Sequence, residues 1–185
     1  MQIRKIAIGL AFAAAFASQA ALAADVALTT NGQWNAFDVT PDVAISGGLE
    51  WIDITDGSAL SFSFSGPAIL TVVDAGFAGD RFRVFDNGNL VGQTSVAANS
   101  YPASVGLNFD AALADGGYSR GVFVLGAGNH VITGELSQSA LDDTGSALNA
   151  TVGAVQIAAV PEPQTYAMLL AGLGLLGMAA QRRGR

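Results

Sequence analysis

The sequence contains no cysteine. That excludes a disulfide framework, a thiolate nucleophile and any cysteine-ligated zinc. It has one lysine, Lys5, and one histidine, His130. A single imidazole does not make a multi-histidine metal centre. Charged residues are 12% of the chain, and between residues 24 and 160 the only basic ones are Arg81, Arg83 and Arg120, against fourteen acids. Such a surface repels phosphate backbones, so nucleic acid is excluded as a partner. It suits divalent cations, or simply solubility outside a cell. No fixed repeat period is present, which argues against a solenoid.

What is present begins with two atypical ends. Residues 1–23 read MQIRKIAIGLAFAAAFASQAALA. Arg4 and Lys5 precede an apolar run from Ile6 to Ala17, and Ala21-Leu22-Ala23 closes it. A short positive region, an apolar core and the A-x-A site of Ala21 and Ala23 predict a signal peptide cut by signal peptidase after Ala23, with Ser18-Gln19-Ala20 as a second site three residues earlier. The apolar run is short of the ~20 residues of a membrane span. At the other end Pro161-Glu162-Pro163 precedes an apolar stretch, Tyr166 to Ala180, and the chain closes on Arg182, Arg183 and Arg185. Two prolines two apart neither continue a helix nor pair in a sheet, so this is an extended hinge. As a helix, residues 166–180 span about 22 Å, marginal for a hydrocarbon core of ~30 Å. The arginines stay cytoplasmic under the positive-inside rule. The expected organisation is a signal peptide at 1–23, an extracytoplasmic domain at 24–160, and a tail at 161–185 with its transmembrane helix at about 166–180.

The run VPEPQTYAMLLAGLGLLGMAAQRRGR, Val160 to Arg185, resembles the PEP-CTERM sorting signal: a Pro-Glu-Pro motif, a short glycine- and leucine-rich helix and a basic terminus. The same segment is sometimes labelled the C-terminal region of ice-binding proteins. The resemblance implies an exosortase-like membrane enzyme as partner, cleavage near Pro161, Glu162 and Pro163, and a Gram-negative host that makes exopolysaccharide. Arg182, Arg183 and Arg185 then serve as a basic stop.

Between the ends the pattern is one of strands and turns. Ser61 to Ser65 (SFSFS) and Asp80 to Val84 (DRFRV) alternate strictly, as half-buried strands do. Ala68 to Val73 (AILTVV) suits a strand buried on both faces. Val122–Leu125 and Val152–Ile157 are further strands. Asn87-Gly88 between Phe82–Phe85 and Leu90–Thr94 predicts a hairpin, because Asn-Gly accepts the positive φ angles of a type I′ turn. Gly126-Ala127-Gly128-Asn129 links the next pair. Asp110 to Asp115 makes at most one helical turn. Eight to ten short strands predict an all-β fold, an antiparallel β-sandwich of jelly-roll-like kind. The core Gly79-Asp80-Arg81-Phe82-Arg83-Val84-Phe85-Asp86-Asn87-Gly88 resembles the ectodomain of one PEP-CTERM subgroup over roughly residues 51–136. That resemblance supports the fold and assigns no activity.

Chemistry-bearing residues are sparse. Gly117-Tyr118-Ser119-Arg120-Gly121 matches the nucleophile elbow G-x-S-x-G, but a strand follows where a hydrolase needs a helix, and no acid lies between Ser119 and His130. Ser119 then reads as a strand-entry residue and His130 as structural, lacking a visible partner. Asp74, Asp80 and Asp86 recur every six residues around the hairpin. Loop oxygens at one end of a sandwich can hold Ca²⁺, with Glu50, Asp53 and Asp56 nearby, although aspartates also simply begin and end turns. Trp34, Trp51, Tyr101 and Tyr118 stack on sugars if they share a face, or serve as core. A flat threonine array for ice is absent. The expected function is non-enzymatic: an exported surface or extracellular-matrix protein, adhesive or polysaccharide-associated. The competing expectation is a secreted carbohydrate-active enzyme on the same scaffold.

Overall fold

A computed structural model of the chain describes residues 24–39, 49–148, 151–160, 168–173 and 175. Among the described residues up to 160 there are nine strands, β1 Ala24–Ala27, β2 Asn35–Val39, β3 Leu60–Ser65, β4 Ala68–Ala75, β5 Arg81–Asp86, β6 Asn89–Gln93, β7 Arg120–Leu125, β8 Asn129–Gln138 and β9 Thr151–Ala159, and one short helix, α1 Phe109–Ala114. They form a five-stranded sheet, β1-β3-β8-β5-β6, and a four-stranded sheet, β2-β9-β4-β7. All pairings are antiparallel except β1 with β3, which is parallel and departs from the purely antiparallel expectation. Asp25 fastens that edge: its carboxylate accepts from the hydroxyls of Ser61 (3.1 Å) and Ser63 (2.8 Å).

The alternation read in the sequence becomes the core. Phe62 and Phe64 of β3 and Phe82 and Val84 of β5 point inward against Phe37, Leu70, Val72, Val155 and Ile157 from the other sheet. At the centre Phe37 stacks on Trp51 at 4.0 Å, with Phe82 edge-on to Phe37 at 5.0 Å. Each such aromatic pair contributes ~0.5–1.5 kcal/mol beyond its buried area. Gly134 makes the stack possible: a Cβ there would lie 2.1 Å from the Trp51 ring. The both-sided burial of β4 has a distinct cause on each face. Leu70 and Val72 enter the core, while Val73 and Ala75 lie with Ala112 and Tyr118 under α1. Asn108 caps that helix, accepting from the Ala111 N–H.

The hairpin forms as its residues dictate. Asn87 and Gly88 adopt φ of 49° and 76°, both positive, between β5 and β6.

Register divides the sandwich into two ends. The start of β4 pairs with the last residues of β7 and β9 (Ala68 with Leu125 and with Ala159), and the end of β3 meets the start of β8 (Ser65 with Asn129). We call this the tail-side end, because β9 leaves the domain there. At the far end lie the β4–β5 connection, the loop from 95 to 108, and the β8–β9 connection.

Candidate functional site

Asp74 and Asp80 come together at the far end. Asp74 is fully buried at the end of β4; its Oδ2 accepts from the Gly79 N–H at 3.2 Å, while Oδ1 has no partner. Asp80, 2% exposed, accepts from the Ala140 N–H at 2.6 Å and from the Thr151 hydroxyl. The pair thus ties the β4–β5 turn to the β8–β9 connection. Burial first, and the Asp80 charge second, push Asp74 up to about 9. Burial pushes Asp80 up to about 6 against those two hydrogen bonds. At neutral pH Asp74 therefore holds a proton, as a carboxyl group out of water does.

Asp86 does not join them, which corrects the grouping expected from the six-residue spacing. β5 runs extended from Asp80 to Asp86, and six residues of strand at ~3.3 Å each put the two at opposite ends. Asp53 and Asp56 act as turn formers, accepting from the Thr55 and Ser58 N–H groups. Among the described residues no group of three or more histidines or carboxylates gathers to hold a metal ion.

Asp86 instead meets His130 at the tail-side end. Its Oδ2 lies 2.8 Å from Nδ1, and Nε2 lies 3.0 Å from the Gly126 carbonyl. The imidazole stacks on Phe64 at 4.7 Å, and its side chain is only 8% exposed. Burial works against protonation, but the hydrogen bonds to Asp86 and Gly126 and the Asp86 charge outweigh it and raise the histidine above its usual 6.5. The partner that sequence reading did not see for His130 comes from the β5–β8 pairing, a contact between distant segments.

Ser119 is fully buried before β7, its hydroxyl 2.9 Å from that of Thr94, which accepts from the Phe82 N–H. His130 stands at the other end of the fold, so the two are not a nucleophile and its base. The aromatics divide likewise. Trp51 and Tyr118 are buried, 1% and 3% exposed. Trp34 packs on Phe109 and donates to Asp110, and Tyr101 packs on Phe77. They form no common platform.

Residues 168–173 and 175 are helical, and Met168, Leu169, Leu170, Leu173 and Leu175 are all exposed. An open concavity there, about 520 Å³, is lined by Met168, Leu169, Gly172, Leu173 and Leu175. No helix among the described residues is long and apolar enough to cross a membrane. The signal peptide with Ala21 and Ala23, the motif Pro161, Glu162 and Pro163, and the stop Arg182, Arg183 and Arg185 lie outside the described residues.

Residues 159–183 match the family described as the PEP-CTERM protein-sorting motif. No curated protein matches the chain. The chain thus carries a PEP-CTERM sorting motif, which marks an exported protein for exosortase-dependent, membrane-associated sorting.

Proposed function

We propose that this chain is an exported, non-enzymatic component of the surface or extracellular matrix of a Gram-negative bacterium, delivered there by an exosortase and associated with polysaccharide. The observation that carries the reading is one of continuity: the sorting motif starts at Ala159, the last residue of β9. Folded cargo and sorting signal are one unbroken chain. The strand order supports a jelly-roll reading of the domain, since consecutive strands from β2 to β9 pass between the two sheets, except at the β5–β6 hairpin, as in a double Greek key.

The outer face of the five-stranded sheet supports the matrix role. Ser63 and Ser65 of β3, Asn129 and Thr133 of β8, and Gln93 of β6 lie along it with the half-exposed ring of Phe85. These hydroxyls and amides share the face with the Arg83–Glu135 ion pair and Val131, and they are groups that hydrogen-bond sugar hydroxyls.

The test is made in a host that carries the sorting enzyme. The surface form should lack both ends, beginning at Ala24 and terminating near Pro161, and should co-sediment with the host's exopolysaccharide. A surface form ending in Arg185 would overturn the sorting step. A correctly trimmed form that stays in the supernatant would overturn the polysaccharide association alone.

A further inference from the structure

Charge is distributed unevenly along the long axis of the sandwich. The described acids number thirteen, and twelve of them lie along the strands, on α1 or at the far end. Asp80, Asp115, Asp142 and Asp143 flank the far-end connections, where the buried Asp74 is protonated and adds no charge. Only Asp86 belongs to the tail-side end, and there it is paired with His130. Neither Arg81 nor Arg120 is at that end, since both begin their strands at the opposite one. The tail-side connections are residues 28–34 between β1 and β2, Gly66-Pro67, Asn87-Gly88 and Gly126-Ala127-Gly128, all without formal charge. Around them Leu90 is 60% exposed and Val124 is 74% exposed.

We propose that this tail-side end is the surface on which the domain rests against a lipid bilayer while its tail is engaged in the membrane. The proposal rests on the sorting reading above and adds to it an orientation and a contact face. Three facts converge. The chain leaves for the membrane at Ala159, between the tail-side loops. That end has nothing charged to desolvate except an internally paired Asp86 and His130. Charge brought near hydrocarbon costs free energy, whereas glycine, proline and apolar tips do not.

The opposite end completes the argument. The eight residues of β4 span about 26 Å at ~3.3 Å per residue, about three screening lengths at physiological salt. In this orientation the far-end acids stand beyond the reach of an anionic lipid surface. In the inverted one they would be pressed against it. The asymmetry orients the domain without any specific lipid contact.

The absence of cysteine makes the test direct. Single cysteines are introduced into the full chain at exposed loop sites, Ala127→Cys at the tail-side end and Ser104→Cys at the far end. Each is labelled with a fluorophore. The chain is then reconstituted into vesicles of phosphatidylethanolamine and phosphatidylglycerol containing a headgroup-level quenching lipid. Quenching at position 127 should exceed that at 104 several-fold. Val124→Glu should reduce the quenching at 127, and Leu107→Glu, also exposed but at the far end, should leave it unchanged. Equal quenching at both sites would mean that the domain tumbles on its hinge, and stronger quenching at 104 would mean the inverted orientation. Either result overturns the proposal. Flotation separates the two levels: a chain that fails to float with the vesicles refutes the membrane engagement as well, whereas floating with equal quenching refutes only the orientation.

Discussion

Gly134 offers the sharpest perturbation of the core. It lies on β8 beneath Trp51, and an added Cβ would fall 2.1 Å from Cε2 and 2.2 Å from Cζ2 of that ring. Trp51 cannot step aside, because it is 1% exposed and stacked on Phe37 at 4.0 Å. The backbone alone would favour alanine, since glycine in a strand costs ~0.5–1 kcal/mol relative to it. Overpacking opposes this with ~1–3 kcal/mol in ordinary cases and more where nothing can yield. Gly134→Ala should therefore destabilise the domain by about 3 kcal/mol, a fall in Tm of roughly 10 °C for a chain of this size. Trp51→Leu should also destabilise, losing ring area worth ~3–5 kcal/mol. Part of that loss is returned, because the buried Trp51 Nε1 has no acceptor and its removal relieves an unmet donor. In the double variant the clash is gone, so its cost should be less than the sum by ~1–3 kcal/mol. Urea unfolding followed by far-ultraviolet circular dichroism measures all four forms. A Gly134→Ala protein within about 0.5 kcal/mol of the parent, or strict additivity, would refute the packing argument.

Three further outcomes are expected. Asp74 and Asp80 have folded pKa values of about 9 and about 6, raised from 3.8, so the stability they contribute is complete below pH 3.8 and drains as pH climbs through those values; in chelator the domain should melt higher at pH 5 than at pH 8, Asp74→Asn should flatten the difference, and a parent more stable at pH 8 would contradict it. His130 is likewise raised, so its pairing with Asp86 stabilises most below 6.5 and fades as pH rises through the folded value; His130→Gln should cost ~1.5–3 kcal/mol at pH 5.5 and less at pH 8 by urea titration, and an equal cost at both would sink the charged-pair account. Replacing Pro161, Glu162 and Pro163 with alanines should leave full-length chain in the inner membrane fraction on immunoblotting, and normal release would show that the motif is not read.

Local chemistry was legible in the sequence; long-range pairing was not. The Asn87-Gly88 turn needs only its own two residues to declare positive φ, and β5 and β6 follow from it. The same holds for the alternation of β3 and the doubly buried run of β4. The parallel pairing of β1 with β3 carries no such signature, because a four-residue strand joins an edge for reasons that reside in its partner. The spacing of Asp74, Asp80 and Asp86 shows the limit most clearly. Equal intervals of six residues fold back through a turn in the first case and run straight along a strand in the second. The first pair meets and the second is driven apart. The alternating pattern from Asp80 to Val84 already marked that interval as extended. The His130–Asp86 pair depends on β5 lying beside β8, which nothing local encodes.

The route by which the chain leaves the domain has a mechanical consequence. β9 is an interior strand, paired with β2 over five residues and with β4 over eight. A pull on the tail along the strand axis therefore loads two antiparallel ladders in shear, and many hydrogen bonds must fail together. Had the tail continued from an edge strand such as β6 or β7, one ladder would carry the load. A protein held by its tail while an enzyme acts on it, or anchored there in a matrix, gains from the first arrangement. The pairing of β9 can be weakened apart from that of an edge strand in the other sheet. Gln156 lies on the partly exposed side of β9 opposite Thr71, and proline, which has no N–H, is not accommodated in an interior strand. Asp25→Pro, on the outermost strand β1, should cost far less. Under force applied through the C-terminus of the full chain, Gln156→Pro should lower the unfolding force sharply and Asp25→Pro should barely change it. Equal unfolding forces for the two variants would mean that the tail does not load β9 in shear.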